Sequence, residues 1–171
     1  MKIKLLIIIT LGFLGCKSNT NSLETVDSID IQKYQGLWYE IAIVPNNFEK
    51  GCSCTTAEYI PNEKGYIDVI NTCKRKGKID KIKGKAFVVK NSNNTKLKVQ
   101  FFWPFKGNYW IIDIDENYTY AVVSGPSRKY LWILSRKPEM DKELYNSILK
   151  DLAEKNFDIT KIVKTIHDCN Q

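Results

Sequence analysis

The sequence predicts an all-β domain followed by one helix near its C-terminal end. Three observations carry that reading. First, eight short runs of strand character follow one another, each about five to eight residues long and separated by turn residues. Second, Leu97, Val99 and Phe101 alternate with Lys98, Gln100 and Phe102, a period of two that gives a sheet two unlike faces. Third, the period changes between Asp141 and Lys155, where Leu144, Ile148, Leu149 and Leu152 recur at helical spacing. A meander of short strands either packs as a sandwich or closes on itself.

The first run, Gly36-Leu37-Trp38-Tyr39-Glu40-Ile41-Ala42, anchors the rest. Gly36 leaves room for the backbone to bend or for a bulky group to cross, and Trp38 supplies a large amphipathic ring, so the run can form the floor of a closed sheet. An ordinary core tryptophan after a turn glycine fits those residues equally well. Pro45 to Gly51 is rich in turn residues and reads as a loop. Cys54 to Ile60 and Tyr66 to Cys73 flank Pro61-Asn62-Glu63-Lys64-Gly65, a hairpin signal. The register of that hairpin leaves Cys73 opposite Cys54 or near Cys52. Lys74 to Lys81 reads as a basic turn or loop. Ile82 to Val89, Lys96 to Trp103, Tyr109 to Asp113, Tyr118 to Ser124 and Tyr130 to Ser135 complete the strands. In the helix Asp141 is the expected cap and Asn156 the stop; a last extended piece, Ile159 to Ile166, leads to Cys169.

A chain of 171 residues fits one domain with a sizeable core. Its first 15 residues have the order of a secretory signal: Lys2 and Lys4, an apolar run from Leu5 to Leu14, then Gly15 before Cys16. The apolar run is shorter than the roughly 20 residues a membrane-spanning helix needs. A small residue followed by cysteine resembles the bacterial lipobox, with Phe13 where leucine is usual, and that motif implies cleavage and acylation of Cys16, as with palmitate. Lys17 to about Asp30 is polar and reads as a tether. Without residues 1–15 the chain has 24 basic and 19 acidic residues, a net charge of +5. That balance favours solubility or contact with anionic head groups and carries no nucleic-acid footprint. Cys52, Cys54, Cys73 and Cys169 remain, an even set that reads as two disulfides in an oxidising envelope. A four-thiolate zinc site competes poorly, because Cys-x-Cys is tighter than zinc spacing. No metal or cofactor is expected.

Taken together, Gly36 to Ala42, Asp115-Glu116-Asn117-Tyr118 and Tyr130-Leu131-Trp132-Ile133-Leu134-Ser135-Arg136-Lys137-Pro138 resemble, in order, the three signature regions of the lipocalin family. The second departs from the usual Thr-Asp-Tyr by reading Glu-Asn-Tyr, which bears on a loop. The resemblance extends to bacterial lipocalin lipoproteins and their apolipoprotein D-like relatives. The resemblance implies an eight-stranded up-and-down antiparallel β-barrel over residues 31–171, with the helix packed outside, after a signal peptide at 1–15 and a tether at 16–30. It implies that Gly36, Trp38 and Arg136 are structural, the guanidinium lying on the indole. It also implies disulfides Cys54–Cys169 and Cys52–Cys73.

A barrel of eight strands is just wide enough for one small ligand. If Trp38 points inward, strand parity sends Glu40 and Ala42 inward, and Arg136 shares parity with Leu134 and Trp132. The resemblance puts Ala57, Tyr59, Val69, Asn71, Ala86, Val99, Phe101, Tyr109, Ile111 and Val123 on the same surface. That apolar and aromatic set suits the acyl chain of a fatty acid or lysophospholipid. The implied function is a lipid-anchored carrier at the cell outer membrane, in lipid maintenance or stress; Lys17 after Cys16 fits outer-membrane sorting as known in enteric bacteria. An enzyme is not expected: the one histidine, His167, has no nucleophile in a recognisable arrangement beside it. A structural lipoprotein with a filled barrel is the third class, and a homodimer is compatible with these residues.

Overall fold

The computed structural model describes residues 22–169; Cys16 and the expected signal segment lie outside the described residues. Eight strands run Gly36–Ile43 (β1), Cys52–Pro61 (β2), Ile67–Arg75 (β3), Lys78–Val88 (β4), Lys96–Gln100 (β5), Gly107–Ile114 (β6), Tyr120–Ser124 (β7) and Leu131–Ser135 (β8). Each pairs antiparallel with the next, β8 returns to β1, and the β1–β2 pairing closes an up-and-down barrel. Closure satisfies the ladder that a sandwich would leave as edges. A single helical turn, Ile31–Tyr34 (α1), capped by Asp30, precedes the barrel. Lys142–Glu154 (α2) follows it, with the Asp141 carboxylate accepting from the amides of Glu143 and Leu144 at 2.9 Å each.

Two apolar cores result. The inner one contains Trp38, Tyr59, Val69, Ala86, Leu97, Ile111, Val123 and Leu134. The outer one lies under α2, where Tyr145, Ile148 and Leu152 meet Ile41, Ile112, Val122 and Ile133. Alternation along each strand sorts residues between the two, so Ile133 faces the helix and Leu134 the lumen.

Several expectations are corrected. Lys74–Lys81, read as a basic turn or loop, confines its turn to Lys76 and Gly77, both at positive φ, and the rest is strand, with Arg75 paired to Lys78. The upper half of β4 extends past β5, which pairs only with Lys85 to Val88. With solvent on that stretch, its residues carry charge and lack an apolar period. β5 ends at Gln100, three residues before Trp103, because β6 begins pairing at Gly107 opposite Val99. Ile159–Ile166 is a 3₁₀ turn at Ile159–Lys161 and a two-residue strand, Val163–Lys164 (β9), beside β1.

The expected tether is also partly inside the domain. Leu23 and Ile29 are buried. The Val26 amide donates to the Ile111 carbonyl at 3.1 Å and the Ile29 amide to the Asn93 carbonyl at 2.9 Å. Widely spaced apolar residues in a polar segment supply no period, yet Ile29 joins the inner core and Leu23 the outer one.

Candidate functional site

Trp38 forms the floor. Its indole is fully buried and donates to the Tyr34 carbonyl at 2.8 Å. The Arg136 guanidinium lies 3.7 Å from the ring centroid and donates to the carbonyls of Leu37 (2.8 Å), Lys33 (2.7 Å) and Gln35 (2.9 Å). A planar fork with five donors is what lets one side chain tie α1 to β1 and β8. Gly36 sits at φ +89°, where an L side chain is strained. The Asp115 turn, the variant second signature, completes this end: its carboxylate accepts from the amides of Thr119 (2.5 Å) and Tyr120 (2.9 Å), and Arg136 donates to the Tyr118 carbonyl at 3.3 Å.

Above the floor is a layer of tyrosines. The Tyr109 hydroxyl meets those of Tyr34 at 2.6 Å and Tyr59 at 2.7 Å. Burial raises all three phenols well above their ordinary range, so each stays neutral. Ala86, Ile111, Val123, Val69 and Leu134 are buried with them. Higher on the wall, Ala57, Val99, Phe101 and Trp132 are partly buried against the same cluster. Phe101 packs over Gly84, where a Cβ would lie 2.6 Å from its ring.

Of the residues read as inward-facing, Ala42 departs. β1 carries a bulge between Glu40 and Ala42, so Glu40 pairs with Leu134 but Ala42 with Ile133. The extra residue reverses parity and places Ala42 in the outer core under α2. Asn71 lies on the inner face of β3 by parity with Val69. Glu40 is buried; its carboxylate accepts from the Thr165 hydroxyl at 2.6 Å. It borders a cavity of about 530 Å³ with Glu49, Ile43 and the tail from Val163 to Ile166. Glu49 accepts from the Trp132 indole at 3.1 Å and from the Asn46 amide. Burial, then the Glu49 charge, pushes the Glu40 carboxyl up to about 8. Among the predicted ligand-facing residues, Glu40 alone borders that cavity.

Several residues of this interior escape the sequence reading, Ile29 and Ile67 among them. Tyr34 lies on a one-turn helix with no apolar period, Leu97 and Ala121 share parity with neighbours already assigned inward, and Glu49 sits in a loop. Parity could have found the middle two.

The cysteines pair as Cys52–Cys73 and Cys54–Cys169, with Cα separations of 5.5 and 6.1 Å. These bonds take up the described thiols, including the two that lie with Asp168 in a cluster otherwise suited to a metal. His167 bonds the Glu40 carbonyl at 2.7 Å. Among the described residues no helix is long and apolar enough to cross a membrane.

Comparison with known proteins agrees with this architecture. The family model described as a lipocalin-like domain matches residues 29–167. The outer membrane lipoprotein Blc of Vibrio cholerae is 38% identical over 152 residues, covering 87% of this chain and 89% of the relative. Apolipoprotein D of Macaca fascicularis is 35% identical over 147 residues, covering 81% and 77%. Insecticyanin from Manduca sexta, 22% identical with a TM-score of 0.71 and 85% of each chain covered, shares the fold. With its closed barrel, its Trp38–Arg136 floor and these matches over most of its length, the chain belongs to the lipocalin family.

Proposed function

We propose that this protein is a lipid-anchored carrier that takes the apolar tail of a fatty acid or lysophospholipid into the upper barrel, held at the outer membrane by an acylated Cys16. The observation that supports this most is the change in packing with height. The tyrosine layer is buried, whereas Ala57, Val99, Phe101 and Trp132 above it are only partly so. Apolar side chains half-covered by protein leave contact area for a chain of methylenes, at about 0.8 kcal/mol for each one buried. The outer membrane lipoprotein relatives support the address.

The reading assigns no reaction. His167 is engaged with a backbone carbonyl and the described cysteines are oxidised, so neither supplies a nucleophile or base aimed at the lumen. Displacement of a fluorescent fatty acid from purified protein tests the carrier: saturable binding at one site is expected. A folded sample that binds no lipid probe would instead identify a filled barrel, a reading supported by the tyrosine layer in the lower lumen. Mass spectrometry of the N-terminal peptide from membranes tests the anchor, with an acylated Cys16 expected.

A further inference from the structure

The loops at the end of the barrel opposite Trp38 are 44–51, 76–77, 101–106 and 125–130. They hold an unusual concentration of uncovered aromatic surface. Trp103 is 86% exposed, Phe105 77%, Phe48 71% and Phe102 65%. Three of these four lie within one short connection, beyond the point where β5 loses its partners. Large exposed apolar patches on a folded domain mark a surface with a partner.

Charge identifies the partner. The same four loops carry exposed Lys50, Lys76 and Lys129, while the Lys106 ammonium turns onto the Phe87 ring 4.2 Å away, and their one carboxylate, Glu49, is tied inward to Trp132 and Asn46. Nearby Asp80 is paired with Arg75 at 3.4 Å. Aromatic rings on protruding loops ringed by ammonium groups match a bilayer interface containing anionic lipid, where rings sit at head-group depth and lysines meet phosphates.

The chain direction agrees. Ile29 bonds beside the closed-end Asn93 and Val26 bonds farther up the wall at Ile111, so the described chain, traced backward to Ser22, heads toward the open end.

We infer that the open end is a membrane-docking surface, with Phe102, Trp103 and Phe105 inserted into the interface of an anionic bilayer and Lys50, Lys76 and Lys129 at its phosphates. Docking needs neither a ligand in the barrel nor an acylated Cys16, so it stands or falls separately from the carrier reading.

The test uses the chain from Lys17 onward, which contains the whole barrel, both disulfides and every described residue but no anchor. It is mixed with vesicles of phosphatidylcholine alone or with phosphatidylglycerol, with bromine in the acyl chains. Sedimentation with the anionic vesicles is expected, weakening as salt rises to about 0.5 M. Bromine should quench tryptophan emission, and Trp103→Phe should remove most of that quenching while binding persists. The combined change Phe102→Ser, Trp103→Ser and Phe105→Ser should weaken vesicle binding by about ten-fold or more, with near-ultraviolet dichroism confirming a folded barrel.

Absence of sedimentation would overturn the inference. So would binding without quenching, or equal binding by the triple variant. A concentration-dependent dimer that shields Trp103 from iodide and persists with vesicles would show that a second copy covers the patch and would also overturn it.

Discussion

The two ends of this barrel use the same residue types to opposite purpose. At the closed end Trp38 is fully buried beneath a guanidinium 3.7 Å away. At the open end Trp103 is 86% exposed in a loop of rings. The closed-end turns are polar, with Asn91 to Asn94 and Asp115 to Asn117, whereas the open-end loops are aromatic and basic. One end therefore buries its aromatic rings in the fold, whereas the other, stapled by Cys52–Cys73, leaves them in water. The difference shows that aromatic content says little about stability until its burial is known, because only area removed from water contributes.

The largest expected effect comes from setting the two tryptophans against each other. Trp38→Ala should cost about 3–5 kcal/mol of unfolding free energy, by loss of a buried ring and the void it leaves. Trp103→Ala should change stability by no more than about 0.5 kcal/mol. Urea titrations of the two variants check this, and comparable losses would erase the contrast between the ends.

Next in size is Arg136→Lys. It keeps the charge but not the fork, so most of the bonds to the carbonyls of Lys33, Gln35 and Leu37 are lost together. Because those carbonyls lie near solvent and recover water, the loss should be about 2–3 kcal/mol in the same titration. A change below the scatter of surface substitutions would mean that packing of Trp38, not the guanidinium, closes this end.

Tyr109→Phe sharpens the comparison from the middle of the barrel. It removes the hydroxyl that bridges Tyr34 and Tyr59, at an expected cost of about 1–2 kcal/mol, and leaves the ring. If the tyrosine layer sets the depth of the ligand space, the affinity for a long-chain probe should change less than stability does. Parallel denaturation and probe titrations measure both.

What could be read from the residues divides along the same axis. The closed end was legible because its signals are local: Gly36, Trp38 and Arg136 stand in recognisable segments, and strand parity extends from them. The parity argument failed at Ala42, where one added residue in β1 turned every later side chain over, since a bulge leaves no mark in an apolar run such as Ile41-Ala42-Ile43. The hairpin at Lys76 and Gly77 was hidden because β4 there has no buried face to impose an apolar period. Tyr34 was missed for a different reason. One helical turn is too short to show a period, and its place in the lumen follows from the Arg136 bonds that fix α1, a contact across about a hundred residues.

The smallest effect concerns the carboxylate at the mouth. Glu40 is pushed up to about 8 by burial and, after that, by Glu49, against an ordinary value of 4.5. Between those two values the folded chain holds a proton that the unfolded chain has released, so the folded state is favoured less as pH rises. Stability from this group is fully present below about pH 4.5 and is lost as pH climbs through about 8. The cavity beside Glu40 is reached from outside along the 45–51 loop and the tail, and the loss from pH 5 to pH 6, a window between the two values, should be about 1 kcal/mol. Glu40→Gln keeps an acceptor for the Thr165 hydroxyl and removes the titration, so its stability should be flat over that range where the parent declines. Thermal unfolding of both proteins at closely spaced pH values measures the difference. Parallel slopes would place the titrating group elsewhere, and a parent that grows more stable with rising pH would reverse the assignment, making Glu40 a charged partner rather than a protonated lining group.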